Sequence, residues 1–316
     1  MIHRSTTLVF ALFLWGCVPP AATPLPSDDL EPAVTQETVG RSGADRDPEV
    51  SKDGSLLFYA STSNDDTYSL YVKRIGSTMA TRITTRGGDQ RFPRVSPAQP
   101  RRLVFASNER GRWELVLIDD YVGHPERTEI LSEPGTDNLH PSWSPDGKKI
   151  VYCSTRSFGS GEWTLRIRDL ETRKTSVLLD VDGLLPEWSP VGNRIVFQRM
   201  KRRDDWLSSL WTLDVDGGEA RRLTSIFASD DWAAINPTWS PDGKKVAFAT
   251  VGKSRAKAGL LAEADDLWVV GAEGLNPTRV TTSPAADGMP RWSSTGRIYF
   301  VSDRLGSPRL WSIAAP

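Results

Sequence analysis

Residues 140–154 read HPSWSPDGKKIVYCS, and residues 236–250 read NPTWSPDGKKVAFAT. The second stretch repeats the first without its histidine and cysteine. A catalytic constellation occurs once in a chain, so the shared residues point to architecture, and self-similarity has to be followed before any motif is given chemistry. Aligning on a proline followed two residues later by Val or Trp and then Ser gives six copies: PEVS at 48, PRVS at 93, PSWS at 141, PEWS at 186, PTWS at 237 and PRWS at 290.

Three further elements recur in phase with these. The second reads LFYAS (57–61), LVFAS (103–107), IVYCS (150–154), IVFQR (195–199), VAFAT (246–250) and IYFVS (298–302). The third carries a leucine in register at 70, 115, 165, 210, 267 and 310, and the fourth reads RITT (82–85), EILS (129–132), SVLL (176–179), RRLT (221–224) and RVTT (279–282). All are short and rich in β-branched and aromatic residues, and several are set off by Asp-Gly, Gly-Gly or Ser-Gly steps, the pattern of hairpin-linked strands. Four strands per repeat, in series, predict an all-β, six-bladed β-propeller of four-stranded blades. One stretch, 253–266, could form a helical turn within a loop. The sixth repeat ends after its third strand, so residues 37–39 are expected to pair beside 310–313 and close the ring, leaving no open edge at the seam.

The pattern P-x-W-S-P-D-G-K-K-[IV]-x-[FY], with L-W-x-x-D-x-D-G-G and R-R-L-T, resembles the TolB-type propeller repeat, also called the WD40-like PD40 repeat. The resemblance covers roughly residues 37–316 and is tightest at 141–147 and 237–243. Propellers of this kind serve many roles, so the fold it implies is firmer than the function.

The amino terminus suggests a cellular address. MIHRSTTLVFALFLWGC has a basic start and an apolar run from Leu8 to Trp15, which is too short to span a bilayer and fits an export signal. Leu14-Trp15-Gly16-Cys17 resembles the bacterial lipobox, which implies that Cys17 is lipidated and becomes the new amino terminus; Val18 after it points to the outer membrane rather than the inner. The Pro-rich stretch that follows cannot form a core. The expected organisation is therefore a lipoprotein signal at 1–16, a tether at 17–36 and the propeller at 37–316. With Cys17 acylated, Cys153 has no partner for a disulfide. The formal net charge of −1 provides no global field to draw the chain to nucleic acid.

The repeat absorbs most residues that could carry chemistry. Ser51, Ser96, Ser144, Ser189, Ser240 and Ser293 hold one register, so none stands out as a nucleophile, and Asp146 and Asp242 fit the turn into the second strand. Trp143, Trp188, Trp239 and Trp292 are expected to wedge between blades. Asp214-Val215-Asp216-Gly217 resembles the opening of a calcium loop but lacks the later ligands and falls at a hairpin. Cys153 lies in a core register, and His124 and His140 cannot alone build a zinc site. No G-x-S-x-G elbow is present. No catalytic residue, metal site or cofactor is expected.

Two regions remain for binding. Loops linking the second and third strands vary most, from NERGR (108–112) to RMKRRDDWLSS (199–209) and 251–266, and variable loops on a rigid scaffold are where partners dock. Lys201, Arg202, Arg203, Asp204 and Asp205 form a charged tip, and Leu260 and Leu261 either cover a blade edge or meet a partner. Alternation also predicts that the residues before the tryptophan register, namely Glu49, Arg94, Ser142, Glu187, Thr238 and Arg291, face the central channel. They either neutralise one another or receive a polar ligand near Arg91, His140, Asn236 and Met289. The leading expectation is a non-catalytic, lipid-anchored, monomeric propeller that binds an envelope protein or peptide segment in the periplasm, without nucleic acid. The alternative is a propeller that binds or processes glycans or peptides at the polar channel mouth.

Overall fold

The computed structural model describes residues 33–40, 42–85, 87–156, 162–179, 183–202, 205–216, 218–252 and 266–316. Among these residues, six four-stranded antiparallel sheets follow one another along the chain as blades of a propeller. Blade 1 comprises Asp45–Val50, Leu56–Ser61, Ser69–Arg74 and Ala80–Arg82, and blades 2 to 5 repeat that order. The innermost strands are Gln90–Val95, Asp137–Trp143, Gly183–Trp188 and Trp232–Trp239 in blades 2 to 5, and Asp287–Trp292 in blade 6. No helix of the described residues is long and apolar enough to cross a membrane.

The repeated residues form the core. Phe58, Phe105, Tyr152, Phe197, Phe248 and Phe300 supply one fully buried aromatic per blade from the second strand. Leu70, Leu115, Leu165, Leu210, Leu267 and Leu310 supply one fully buried leucine from the third. Side chains alternate across each strand, so both registers face adjacent blades and the apolar area is buried between sheets. Trp143, Trp188 and Trp239 are buried at those seams. The Trp143 indole donates to the Arg94 carbonyl at 2.8 Å, and that of Trp239 to the Glu187 carbonyl at 3.0 Å, each binding one blade to the next.

Blade 6 takes its outer strand from the amino-terminal segment, as the truncated sixth repeat requires. The strand is Thr35–Gln36, two residues earlier than the expected 37–39, with Thr35 opposite Ser312 and Gln36 opposite Trp311. The backbone amides of Glu37 and Thr38 continue the contact by donating to the Leu310 carbonyl. Arg309 reinforces the seam: its guanidinium donates to the carbonyls of Gly40, Ser42 and Gly43. Lys73 reaches across from blade 1 to the Glu37 carbonyl.

Links from innermost to second strand, and from third to outer, emerge on one face, here the turn face. Links from second to third strand and from blade to blade emerge on the other, the loop face. On the turn face the sixfold serine acts on the backbone. Ser144 donates to Asp146 at 2.6 Å and accepts the Lys149 amide at 2.9 Å, while Asp146 accepts the Lys148 amide. Ser240 and Asp242 repeat the arrangement. Asp214 and Asp216 end a strand of the hairpin Asp205–Asp216/Glu219–Phe227, where Asp214 pairs with Arg194 and Asp216 with Arg221. The signal and Cys17, together with Arg203, Asp204, Leu260 and Leu261, lie outside the described residues.

Candidate functional site

Each innermost strand contains a proline, which has no N–H to give to the sheet and is tolerated in strands only at an edge or a bulge. Pairing accordingly skips two residues in every blade, as between Arg46 and Glu49 or between Leu139 and Ser142. The skipped residue before the proline adopts a left-handed backbone each time: Asp47, Phe92, His140, Leu185, Asn236 and Met289 have φ between 51° and 56°. None is glycine, so each carries the cost of a side chain in that region, about 1–2 kcal/mol. The bulge turns these six side chains to the loop-face end of the channel, where they line a cavity of about 40 Å³.

The bulge explains which mouth residues were placed well. His140, Asn236 and Met289 line the cavity as expected, but in blade 2 the corresponding residue is Phe92, and Arg91 is displaced by one position. Arg91 is buried and turns to Asp47 of blade 1, with Nε on Oδ2 and Nη2 3.2 Å from Oδ1. Its guanidinium also lies over the Tyr68 ring at 4.5 Å. Burial alone would raise the Asp47 carboxyl, but Arg91 and the Phe92 amide hold it below the usual range. Arg91 is a blade-to-blade tie rather than a lining residue.

Past the bulge, the expected ring of Glu49, Arg94, Ser142, Glu187, Thr238 and Arg291 does converge. Arg291 places Nε 2.5 Å from Glu49 and Nη1 2.5 Å from Glu187, spanning the channel between blades 1 and 4. Most of the ring also stitches each blade to the next. The Val95, Trp188, Trp239 and Trp292 amides donate to Glu49, Ser142, Glu187 and Thr238 respectively. Burial raises the Glu49 carboxyl above its usual range although Arg291 and Arg94 oppose the shift. Mutual neutralisation thus describes Arg291 and both glutamates.

This crossing divides the channel. Arg94 and Glu187 line the small loop-face cavity and also a second cavity of about 460 Å³ that opens on the turn face. The larger one is walled by Trp143, Trp239, Trp292 and the prolines that follow the serines, Pro97, Pro145, Pro190 and Pro241. Its existence was not foreseen, because it depends on how widely six blades splay at one end of the ring.

A contact missed in the sequence joins His140 to Cys153. Nδ1 lies 3.2 Å from Sγ, the thiol reaches the Leu139 carbonyl at 3.3 Å, and the imidazole packs on Phe92 with ring centres 4.2 Å apart. Burial pushes the Cys153 thiol up to about 12 and His140 down to about 3, so both are neutral at physiological pH. A neutral, enclosed pair is not the thiolate that nucleophilic chemistry needs. His124 is on the surface, 3.3 Å from Glu126. Among the described residues no three His, Cys, Asp or Glu side chains come together as metal ligands would.

Comparison with known proteins agrees with this geometry. Residues 114–257 match the PD40 family, the TolB beta propeller domain. The "Tol-Pal system protein TolB" of Anaeromyxobacter dehalogenans (strain 2CP-C) is 31% identical over 138 residues, 44% of this chain and 29% of that protein. The "Protein TolB homolog" of Chlorobium chlorochromatii (strain CaD3) is 30% identical over 153 residues, 47% of this chain and 31% of the relative. The chain thus spans less than a third of the length of these relatives. Among solved structures, a TolB from Agrobacterium tumefaciens, described as putative, superposes with a TM-score of 0.63 at 17% identity, covering 87% of this chain and 91% of the other. An oligogalacturonate lyase from Vibrio parahaemolyticus superposes with a TM-score of 0.62 at 15% identity, over 92% and 95%. At such identities the structures speak for the fold alone, which is that of a β-propeller.

Proposed function

We propose that this TolB-like propeller is an exported, lipid-anchored, non-catalytic scaffold that holds an envelope protein or peptide segment on its loop face. The observation that carries the reading is the unequal height of that face. In blade 4 the second and third strands lengthen to Arg194–Arg202 and Asp205–Asp216, and in blade 5 the first two run over Trp232–Trp239 and Lys245–Gly252. The second strand of blade 2, Leu103–Ser107, has only five residues. On this raised wall Trp232 is 41% exposed although strand-bound, opposite Gly252. A large aromatic held on rigid backbone suits a partner's binding centre, because little side-chain freedom is lost on docking. The similar Anaeromyxobacter protein is a Tol-Pal system protein, which supports a protein partner, and the lipobox-like stretch ending at Cys17 supports attachment to a membrane.

The test places a photo-crosslinking residue at position 232 or at Val122, which is exposed on the turn face, in cells of the source bacterium. One discrete envelope adduct from 232 and none from 122 is expected; equal patterns from both positions overturn the choice of face. Palmitate labelling that is absent from the wild-type chain, or that survives Cys17→Ala, overturns the anchor.

A further inference from the structure

The turn-face cavity has features that neither the fold nor partner docking on the opposite face requires. At about 460 Å³ it lies within the range of small-molecule sites, and it combines apolar walls with a few converging polar groups. The Trp143 and Trp239 N–H groups are already engaged by carbonyls, so what those rings offer the cavity is hydrocarbon.

Donors on the cavity floor show unmet demand. Arg291 pairs with both glutamates, 2.5 Å from one oxygen of each, although Glu49 Oε2 makes no well-aligned hydrogen bond. Arg94 has been left out of that arrangement. Its Nη1 donates to the neighbouring Pro93 carbonyl at 2.9 Å and lies 3.9 Å from Glu49, and its buried Nε has no hydrogen-bond partner. Burial and the adjacent Arg291 both weaken its hold on its proton. Beside it Ser142, 4% exposed, accepts the Trp188 amide, and its own hydroxyl hydrogen has no acceptor among the described residues. A partly buried guanidinium with an enclosed, unpartnered Nε and a buried hydroxyl with an open donor both seek an acceptor, and a charged acceptor gains most where water is scarce. Lys52 on the rim adds a further positive group.

We infer that the turn-face cavity binds a small organic monoanion, a carboxylate on a flat apolar body, with the carboxylate on Arg94 and Ser142 and the body between the tryptophan and proline walls. The Arg94 guanidinium supplies charge and orientation, and the walls supply most of the area. A cation would have to displace Arg291, which lies 2.5 Å from one carboxylate oxygen of each glutamate.

The test is calorimetric titration of the full chain with 2-naphthoate and its uncharged isostere 2-naphthamide as probes. Naphthoate is expected to bind once per chain and at least about tenfold more tightly than the amide, in line with a charge-assisted hydrogen bond in a dry site. Arg94→Gln should reduce naphthoate to the level of the amide. Since that change touches a partly buried group between blades, Val191→Glu is the companion: Val191 lines the cavity but is 49% exposed at its rim, so folding is spared while the added charge repels the anion. Absence of saturable naphthoate binding, equal affinity for both probes, a preference that survives Arg94→Gln, or binding untouched by Val191→Glu overturns the inference.

Discussion

Replacing Arg291 with methionine tests whether the channel ion pairs are dry. The Glu49 and Glu187 side chains are 3% and 10% exposed, and among the described residues Arg291 is the only cation within 3 Å of either. Without it Glu49 keeps the Val95 amide at 3.4 Å and the distant Arg94, while Glu187 keeps the Thr238 hydroxyl and the Trp239 amide at 3.0 Å each. Removing one partner of a buried pair costs about 3–5 kcal/mol, because the remaining charge is left uncompensated. For a domain of this size that corresponds to a fall in melting temperature of roughly 5–9 °C. The loss should depend on pH. Glu49 has a folded pKa above its ordinary value, and removing Arg291 raises it further. Such a carboxyl stabilises the fold below its unfolded pKa and loses that contribution as pH rises through its folded pKa. The deficit should therefore be full at neutral pH and shrink toward about pH 4. Urea unfolding of wild type and variant at both pH values measures it, and adding Glu49→Gln and Glu187→Gln should recover most of the loss. A deficit below about 1 kcal/mol at neutral pH, unchanged in acid, would show that water solvates the carboxylates and that Arg291 is not needed to neutralise them.

Deleting residues 35–40 removes the outer strand of blade 6 and the carbonyl that Arg309 grips at Gly40, and should lower the melting temperature by roughly 5 °C or more; an unchanged transition refutes the closure. Asp146→Ala should cost about 1 kcal/mol at neutral pH in a urea titration, through the lost bonds from Ser144 and the Lys148 amide. The Asp146 pKa is held down chiefly by the Ser144 hydrogen bond, so this contribution is present above the unfolded pKa and fades as pH falls through the folded one. Cys153 should resist a thiol reagent in the folded chain and react fully in urea, and the His140 imidazole should show no NMR titration between about pH 5 and 8. Asn236→Val, which puts a β-branched side chain at φ 52°, should destabilise by about 1–2 kcal/mol, whereas Asn236→Gly should not.

What the sequence showed was whatever recurs. The register of proline, then Val or Trp, then Ser, the buried leucine and the buried aromatic each appear six times, so errors in any one blade are outvoted, and alternation was enough to bring Glu49, Arg94, Glu187 and Arg291 into one channel. Features set by the ring as a whole were hidden. The Arg91 assignment failed because it is one residue out of step: alternation from Arg94 leads to Phe92, the residue before the proline, and Arg91 turns instead to Asp47. Contact between His140 and Cys153 depends on the innermost-strand bulge, which carries the imidazole round to the second strand of its own blade. The turn-face cavity is a property of blade splay, for which no residue pattern stands. Variation in loop length marked the raised wall of blades 4 and 5, but not that Trp232 would be the exposed aromatic on it.

The partnership of Thr35 with Ser312 sets an order of assembly. Of the described strands, the one that completes blade 6 is made first and its mate last. A growing chain can form blades 1 to 5 from neighbouring segments, yet both margins of the seam stay open until residues 309–314 arrive. The longest loop closure comes at the end, when preformed blades have already brought the two margins within reach. Until then the amino-terminal segment is an unpaired ribbon and the sixth sheet has a bare edge able to accept a strand from another chain. A slow final step, and exchange of the first strand between copies when chains are crowded during refolding, follow from that geometry.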